Sequence, residues 1–183
     1  MYGKYNTKTN HHKRKEIKTM KNLHNLFNEC MNEVRAAGIE PGNIVDISIN
    51  YRATKRWGQC EKKYGVYRIN VNHRILEDDT DVKAVKDTII HEILHTCPNC
   101  WNHGREWQRL ANIMNRKYGY EISRTGSCED FGIDREEYIE SYTKYRIVCT
   151  SCGNVYRKQR ACNVTKHPEF YRCGKCGGSL RLA

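Results

Sequence analysis

Residues 82–110 read VKAVKDTIIHEILHTCPNCWNHGREWQRL, and the fold turns on this stretch. Val82, Val85, Ile89 and Ile93 recur at the spacing of one helical face, which predicts a helix running into His91–His95. Asp78, Asp79, Thr80 and Asp81 precede it and supply cap and acidic residues suited to a helix N-terminus. Pro98 is expected to end the helix. A further helix is expected from His103 or Gly104, with Trp107, Leu110, Ala111, Met114 and Tyr118 along it.

His91-Glu92-Ile93-Leu94-His95 carries the chemistry. Residues four apart on a helix share a face, so both imidazoles can bind one zinc ion, with Glu92 beside them as general base. Two histidines leave zinc under-coordinated, and a catalytic site keeps one position for water. His103 is the preferred third ligand, because Pro98 lets the chain turn back and Gly104 permits close approach. Glu106, Cys97 or Cys100, and His73 are the alternatives. The expected reaction is metal-assisted peptide hydrolysis, with Glu92 accepting a proton and passing it to the leaving amine. The donor to the carbonyl oxygen stays open among a tyrosine, Arg105 and His73.

Outward from this stretch the pattern changes. Residues 1–13 carry no period and read as a disordered basic N-terminus. From Arg14 to Ala37 a stripe of Ile17, Met20, Leu23, Phe27, Cys30, Met31 and Val34 predicts a helix, with Gly38 as its stop. Val45, Ile47, Ile49 and Tyr51 alternate, as do Tyr67, Ile69 and Val71, and both are expected as strands of one small antiparallel sheet. Residues 52–60 are basic, with a bend at Gly58, and Asp134 is placed to cap a short helix. After Lys144 the composition shifts to Cys, Gly and Arg, which sets the expected units at 1–13, 14–142 and 143–183.

Six of the ten cysteines form C-x2-C pairs at 97/100, 149/152 and 173/176. Cys149, Cys152, Cys173 and Cys176 have the spacing of a structural Zn(Cys)4 ribbon, with Cys162 and His167 as weaker substitutes. One catalytic and one structural zinc are therefore expected. Cys97-Pro98-Asn99-Cys100 reads as a tight turn in preference to a further metal site or a redox pair. The thiol pairing and the absence of a visible signal segment point to a reducing, cytoplasmic setting. The longest apolar runs are only a few residues and the mean hydropathy is -0.85, so no membrane partner is expected.

Of the net charge of +11, residues 1–22 hold +6 and residues 141–183 hold +8, while residues 23–140 hold -3. Two basic ends around an acidic middle point to a polyanion, read as DNA. In the C-terminal segment Arg157, Lys158, Arg160, Lys166, Arg172, Lys175 and Arg181 surround Tyr156, Phe170 and Tyr171, a mixture suited to single strands.

Arg56-Trp57-Gly58-Gln59-Cys60, Ile69–Asn72, Leu76, HEILH and Asn102-His103-Gly104 with Trp107 resemble the SprT-like metallopeptidases in order and spacing. That resemblance implies an α+β, zincin-like domain with a small sheet over the metal-bearing helix, followed by the ribbon. It also implies a zinc endopeptidase with His91, His95 and His103 as ligands and Glu92 as base, and Arg56, Trp57 and Gly58 shaping a strand turn beside the cleft. Some eukaryotic members digest proteins crosslinked to DNA, and basic ends suit such a substrate. The competing readings are a nucleic-acid-binding zinc protein whose HExxH site is regulatory or inactive, and a zinc hydrolase acting on a non-peptide bond.

Overall fold

The computed structural model describes residues 20–183. The expectations for residues 1–19, the N-terminal tail and the start of the first helix, lie outside that range. Helix α1 spans Leu23–Ala36, with Asn22 accepting the Asn25 N–H at 3.0 Å, so Met20–Asn22 precede the helix. Gly38, at φ +75°, closes its C-terminal end.

Strand β1 is Ile44–Asn50, β2 is Gly58–Lys63 and β3 is Val66–Asn72, arranged β1-β3-β2. β1 runs parallel to β3 and β2 antiparallel to it. The sheet is therefore mixed, which corrects the expectation of an antiparallel pair. The reason is β2: the chain leaves β1, crosses through residues 51–57 to the far edge, and returns by a hairpin. The sequence GQCEKK hides this strand because residues 61–63 are exposed and only Cys60 packs on the core.

Helix α2, Val82–Leu94, starts at Asp81, whose carboxylate accepts the Lys83 N–H at 3.0 Å. It ends at Leu94, four residues before Pro98. Ile89, Ile90, Ile93 and Leu94 are fully buried between the sheet, α1 and α3, which spans Arg105–Tyr118. Each such side chain contributes roughly 1.5–3 kcal/mol of burial. Lys86 ties α2 to α1 through Glu29 (3.0 Å) and Glu33 (2.9 Å), and Glu33 also accepts the Tyr120 hydroxyl.

Helix α4, Arg135–Tyr142, is capped by Asp134 as expected. Strands β4 (Tyr145–Cys149), β5 (Val155–Lys158) and β6 (Leu180–Leu182) then form a second antiparallel sheet, β5-β4-β6. Its buried cluster is only Ile147, Cys149, Cys173 and Leu180. Glu140 pairs with Arg146, Glu136 pairs with Arg157 at 2.9 Å, and Thr54 donates to Gln159 at 3.1 Å. These contacts seat the second sheet beside the 51–57 crossover. No helix among the described residues is long and apolar enough to cross a membrane.

Candidate metal centres

His91 and His95 project from one side of α2, His95 being the residue that caps its C-terminus. Beyond it the chain turns: Cys97 N–H bonds to Leu94 C=O at 3.1 Å, and Cys100 N–H to Cys97 C=O at 3.2 Å. Asn99 lies at φ +59°, in the left-handed region asparagine tolerates better than most residues. The turn expected at Cys97–Cys100 is present, and it aims the Cys100 carbonyl at His95 Nδ1, 2.8 Å away. His103 follows, just before α3. Its Nε2 lies 2.9 Å from His91 Nε2 and 3.2 Å from His95 Nε2, and the latter two are 3.2 Å apart. Trp107, fully buried one turn into α3, packs against all three rings with centroids 4.7–5.7 Å away.

The donor set fits a metal ion. His95 donates Nδ1–H to Cys100 C=O, and His91 donates Nδ1–H to Ser123 C=O at 2.8 Å. Each ring then presents an unprotonated Nε2 to the common point, the arrangement expected of metal-bound imidazoles. Burial pushes all three histidines below their ordinary pKa, His91 to about 4, so they remain neutral at neutral pH. Converging lone pairs repel unless a cation lies among them. A tetrahedron with metal–nitrogen bonds near 2.05 Å has an edge of about 3.3 Å, close to the triangle here.

Glu92 is buried, and burial raises its pKa to about 7, against the opposing Cys60 N–H bond and the Arg56 charge. A carboxylate with that pKa can both accept and return a proton near neutrality. Gly58 makes room for it: a Cβ there would lie 2.6 Å from Glu92 Oε1. Gly58 thus lies within a strand against the base, where the sequence reading placed a bend. Asn72 holds the approach to β2 by donating from Nδ2 to the Ala53, Arg56 and Tyr138 oxygens at 3.1–3.2 Å.

His91 and Glu92 border a cleft of about 620 Å³. Arg56, Trp57 and Gly58 form one wall, residues 121–126 the other, and α2 back to Asp81 the floor. Trp57 bridges the walls by donating Nε1–H to Gly126 C=O at 3.2 Å.

The alternative third ligands stay away from the imidazole cluster. Glu106 pairs with Arg109 on the surface, and His73 stacks on Tyr51 with centroids 5.3 Å apart. Cys97 and Cys100 are buried thiols outside the cluster, with Cys97 pushed up to about 12 by burial.

Cys149, Cys152, Cys173 and Cys176 converge separately, with sulfurs 3.5 Å (149–176) and 3.7 Å (152–173) apart. A disulfide needs about 2.04 Å, whereas a Zn-like tetrahedron of thiolates has edges of about 3.8 Å. The Tyr156 hydroxyl donates to Cys173 Sγ at 3.1 Å, holding that thiol down to about 6, and accepts the Gly174 N–H at 2.9 Å. The Tyr156 hydroxyl is thus engaged by the cluster, a contact not expected from the sequence. Phe170 and Tyr171 are exposed, Phe170 by 78 % and stacked on His167. Cys162 caps a four-residue helix (Asn163–Lys166), and neither it nor His167 joins the sulfurs.

Sequence reasoning missed the Cys100 and Ser123 carbonyls, the Cys60 N–H and the Tyr156 hydroxyl. The first three are backbone groups, which leave no mark in residue identity. Gly58 was visible as a bend and in the Arg-Trp-Gly run, but not as the residue that makes room for Glu92.

Residues 20–126 match the SprT-like family. The chain is similar to Protein SprT-like of Bacillus subtilis (strain 168), 45% identical over 101 residues, which cover 55% of this chain and 57% of that one. Protein SprT-like of Oceanobacillus iheyensis is 32% identical over 101 residues, covering 53% and 54%. That of Streptococcus suis (strain 05ZYH33) is 28% identical over 103 residues, covering 55% and 58%. The matched stretch spans little more than half the length of these relatives.

Proposed function

Since the chain belongs to the SprT-like family, we propose that it is a zinc-dependent endopeptidase with a zincin-like body and a C-terminal zinc ribbon. The observation that carries this reading is the meeting of three Nε2 atoms within 3.2 Å beside a buried carboxylate one residue along the same helix. Three neutral imidazoles with an open position are a zinc donor set, and four thiolates are a structural one. In this proposal His91, His95 and His103 hold the first ion and Cys149, Cys152, Cys173 and Cys176 the second.

A zinc ion held by the histidines supplies Lewis acidity and a water acidic near neutral pH. Glu92 then accepts the water proton on its carboxylate and returns it to the leaving nitrogen. Gly58 and the Cys60 N–H fix that carboxylate in place. Arg56 draws it toward the ionised form that can act as a base. From Asp81 to His91 the cleft floor is about 15 Å of helix, enough for roughly four residues of extended chain. That length supports an internal stretch of polypeptide as the substrate.

The proposed setting is cytoplasmic and the proposed substrates are DNA-bound or crosslinked proteins. The C-terminal segment would hold single-stranded DNA through Lys158, Arg160, Lys166 and Arg172 and the exposed rings of Phe170 and Tyr171. Arg157 contributes less, because Glu136 and Glu140 already face it.

The test is proteolysis of casein and of a DNA-bound protein, with and without single-stranded DNA, by wild type and Glu92→Gln. Wild type should cut, and the variant should keep its zinc yet lose nearly all hydrolysis. A zinc-loaded Glu92→Gln protein with full activity would refute the mechanism. DNA binding without any cleavage by wild type would leave a nucleic-acid-binding zinc protein.

A further inference from the structure

A peptidase of this kind needs a donor for the carbonyl oxygen as negative charge builds there. None of the described residues considered for it from sequence borders the cleft: Arg105, His73 and every tyrosine among the described residues are absent from its walls. Arg124 is in the wall, on the segment that also holds His91.

That segment is fixed along its length. Ile122 exchanges backbone bonds with the Asn115 side chain at 2.9 and 3.1 Å. Ser123 C=O receives His91 Nδ1–H, the Ser123 hydroxyl donates to Thr125 C=O at 2.8 Å, and Gly126 C=O receives the Trp57 indole. The backbone that carries Arg124 is therefore held on both sides at the cleft wall, within reach of the substrate path.

The charged groups of the cleft differ in how they are engaged. Its acids are occupied: Asp81 caps α2, Glu121 pairs with Lys83 at 2.8 Å, and Asp87 and Asp130 accept the Glu121 and Ser127 N–H groups at 3.1 and 2.7 Å. Arg124 has no carboxylate partner among the described residues. Of the cleft's cations, Lys83 pairs with Glu121, whereas Arg124 stands next to Ser123, whose carbonyl holds His91.

We propose, resting on the peptidase reading above, that Arg124 is a catalytic residue whose guanidinium donates hydrogen bonds to the scissile carbonyl oxygen as it becomes an oxyanion. As the water oxygen bonds to the carbonyl carbon, its proton passes to Glu92 and the C=O π pair moves onto oxygen. When that pair returns, the C–N bond breaks and the nitrogen leaves with the proton from Glu92. Arg124 transfers no proton and stabilises the charge only while it exists.

The test uses the full zinc-loaded chain and a peptide from a casein site that wild type cuts, blocked at both ends. Arg124→Ala should lower kcat by about a hundredfold to a thousandfold with KM within about twofold. Arg124→Lys should keep part of the rate, and added guanidinium should restore part of it to Arg124→Ala. Zinc content should not change. A phosphinic version of the peptide, which mimics the tetrahedral anion, should bind Arg124→Ala at least tenfold more weakly than wild type. The uncleaved peptide should bind Glu92→Gln and Glu92→Gln/Arg124→Ala equally. An unchanged kcat, or a loss confined to KM, overturns the role of Arg124 and leaves the peptidase reading standing. So does a loss seen only with a free C-terminal carboxylate, which would make Arg124 a clamp for chain ends. Wild type showing no hydrolysis that Glu92→Gln abolishes overturns both.

Discussion

The histidine and cysteine centres solve opposite problems. Around the three imidazoles, α1, α2, α3 and the mixed sheet bury a continuous apolar core from Leu23 to Phe131, so the centre rests on a body that packs without it. Around the four sulfurs the buried cluster holds only two aliphatic side chains, Ile147 and Leu180. The first centre needs a scaffold, whereas the second has almost no scaffold except itself. Where a metal belongs to the chemistry, the surrounding bonds orient donors. Where it belongs to the fold, the donors are the core.

Chelation should give the largest divergence. Removing metal with 1,10-phenanthroline should unfold residues 145–183, where on the order of 10 kcal/mol of binding free energy doubles as folding free energy. The body should keep its helices and lose only activity. Hydrogen exchange reads both at once, and the contrast fails if α2 amides lose protection together with β4. Next is Gly58→Ala, whose Cβ would press on Glu92. Activity should fall about a hundredfold, some 2.7 kcal/mol of barrier, with an almost unchanged Tm. A Tm drop matching the loss of activity would make Gly58 a packing residue only.

At the cysteine centre, Tyr156→Phe removes one hydrogen bond to sulfur and should weaken metal binding about tenfold in competition with a chelating dye. No change would mean that the ring alone matters. The smallest effect concerns Asp87, whose pKa burial raises from 3.8 to about 6 against the Glu121 N–H and Lys83. Folded protein then holds this proton more tightly than unfolded chain, so stability falls as pH rises between those values. Asp87→Asn should match wild type near pH 3.5 and exceed it at pH 7 by about 1 kcal/mol, after allowance for solvent screening. Equal denaturation midpoints at pH 7 would contradict this sign.

Helices were legible in the sequence because three of them carry unmistakable marks: the apolar period and Asp81 cap of α2, the Trp107–Met114 stripe of α3, and Asp134 before α4. The histidines and the four cysteines were legible because their spacing is itself chemistry. The sheet was legible only in part. β1 and β3 alternate, but strand order and direction depend on β2, whose exposed, lysine-rich edge has no apolar signature. The Tyr156 contact was hidden for a related reason, since a ring among arginines shows nothing of a hydroxyl set on a sulfur.

The β2–β3 hairpin turns on two residues, Tyr64 at φ +50° and Gly65 at φ +79°, the left-handed pair of a tight type I′ turn. This turn works as a ruler. It counts six residues back along each arm, so that Lys63 meets Val66 and Gly58 meets Val71. Groups on a strand alternate sides, and a count altered by one would carry the Cys60 N–H and the bare Gly58 carbon away from Glu92. An exposed tip, with Tyr64 92 % accessible, therefore sets the address of a buried carboxylate. Tyr64 could become Asn or Asp with little harm, but a single residue added there would disarm the centre without touching a ligand.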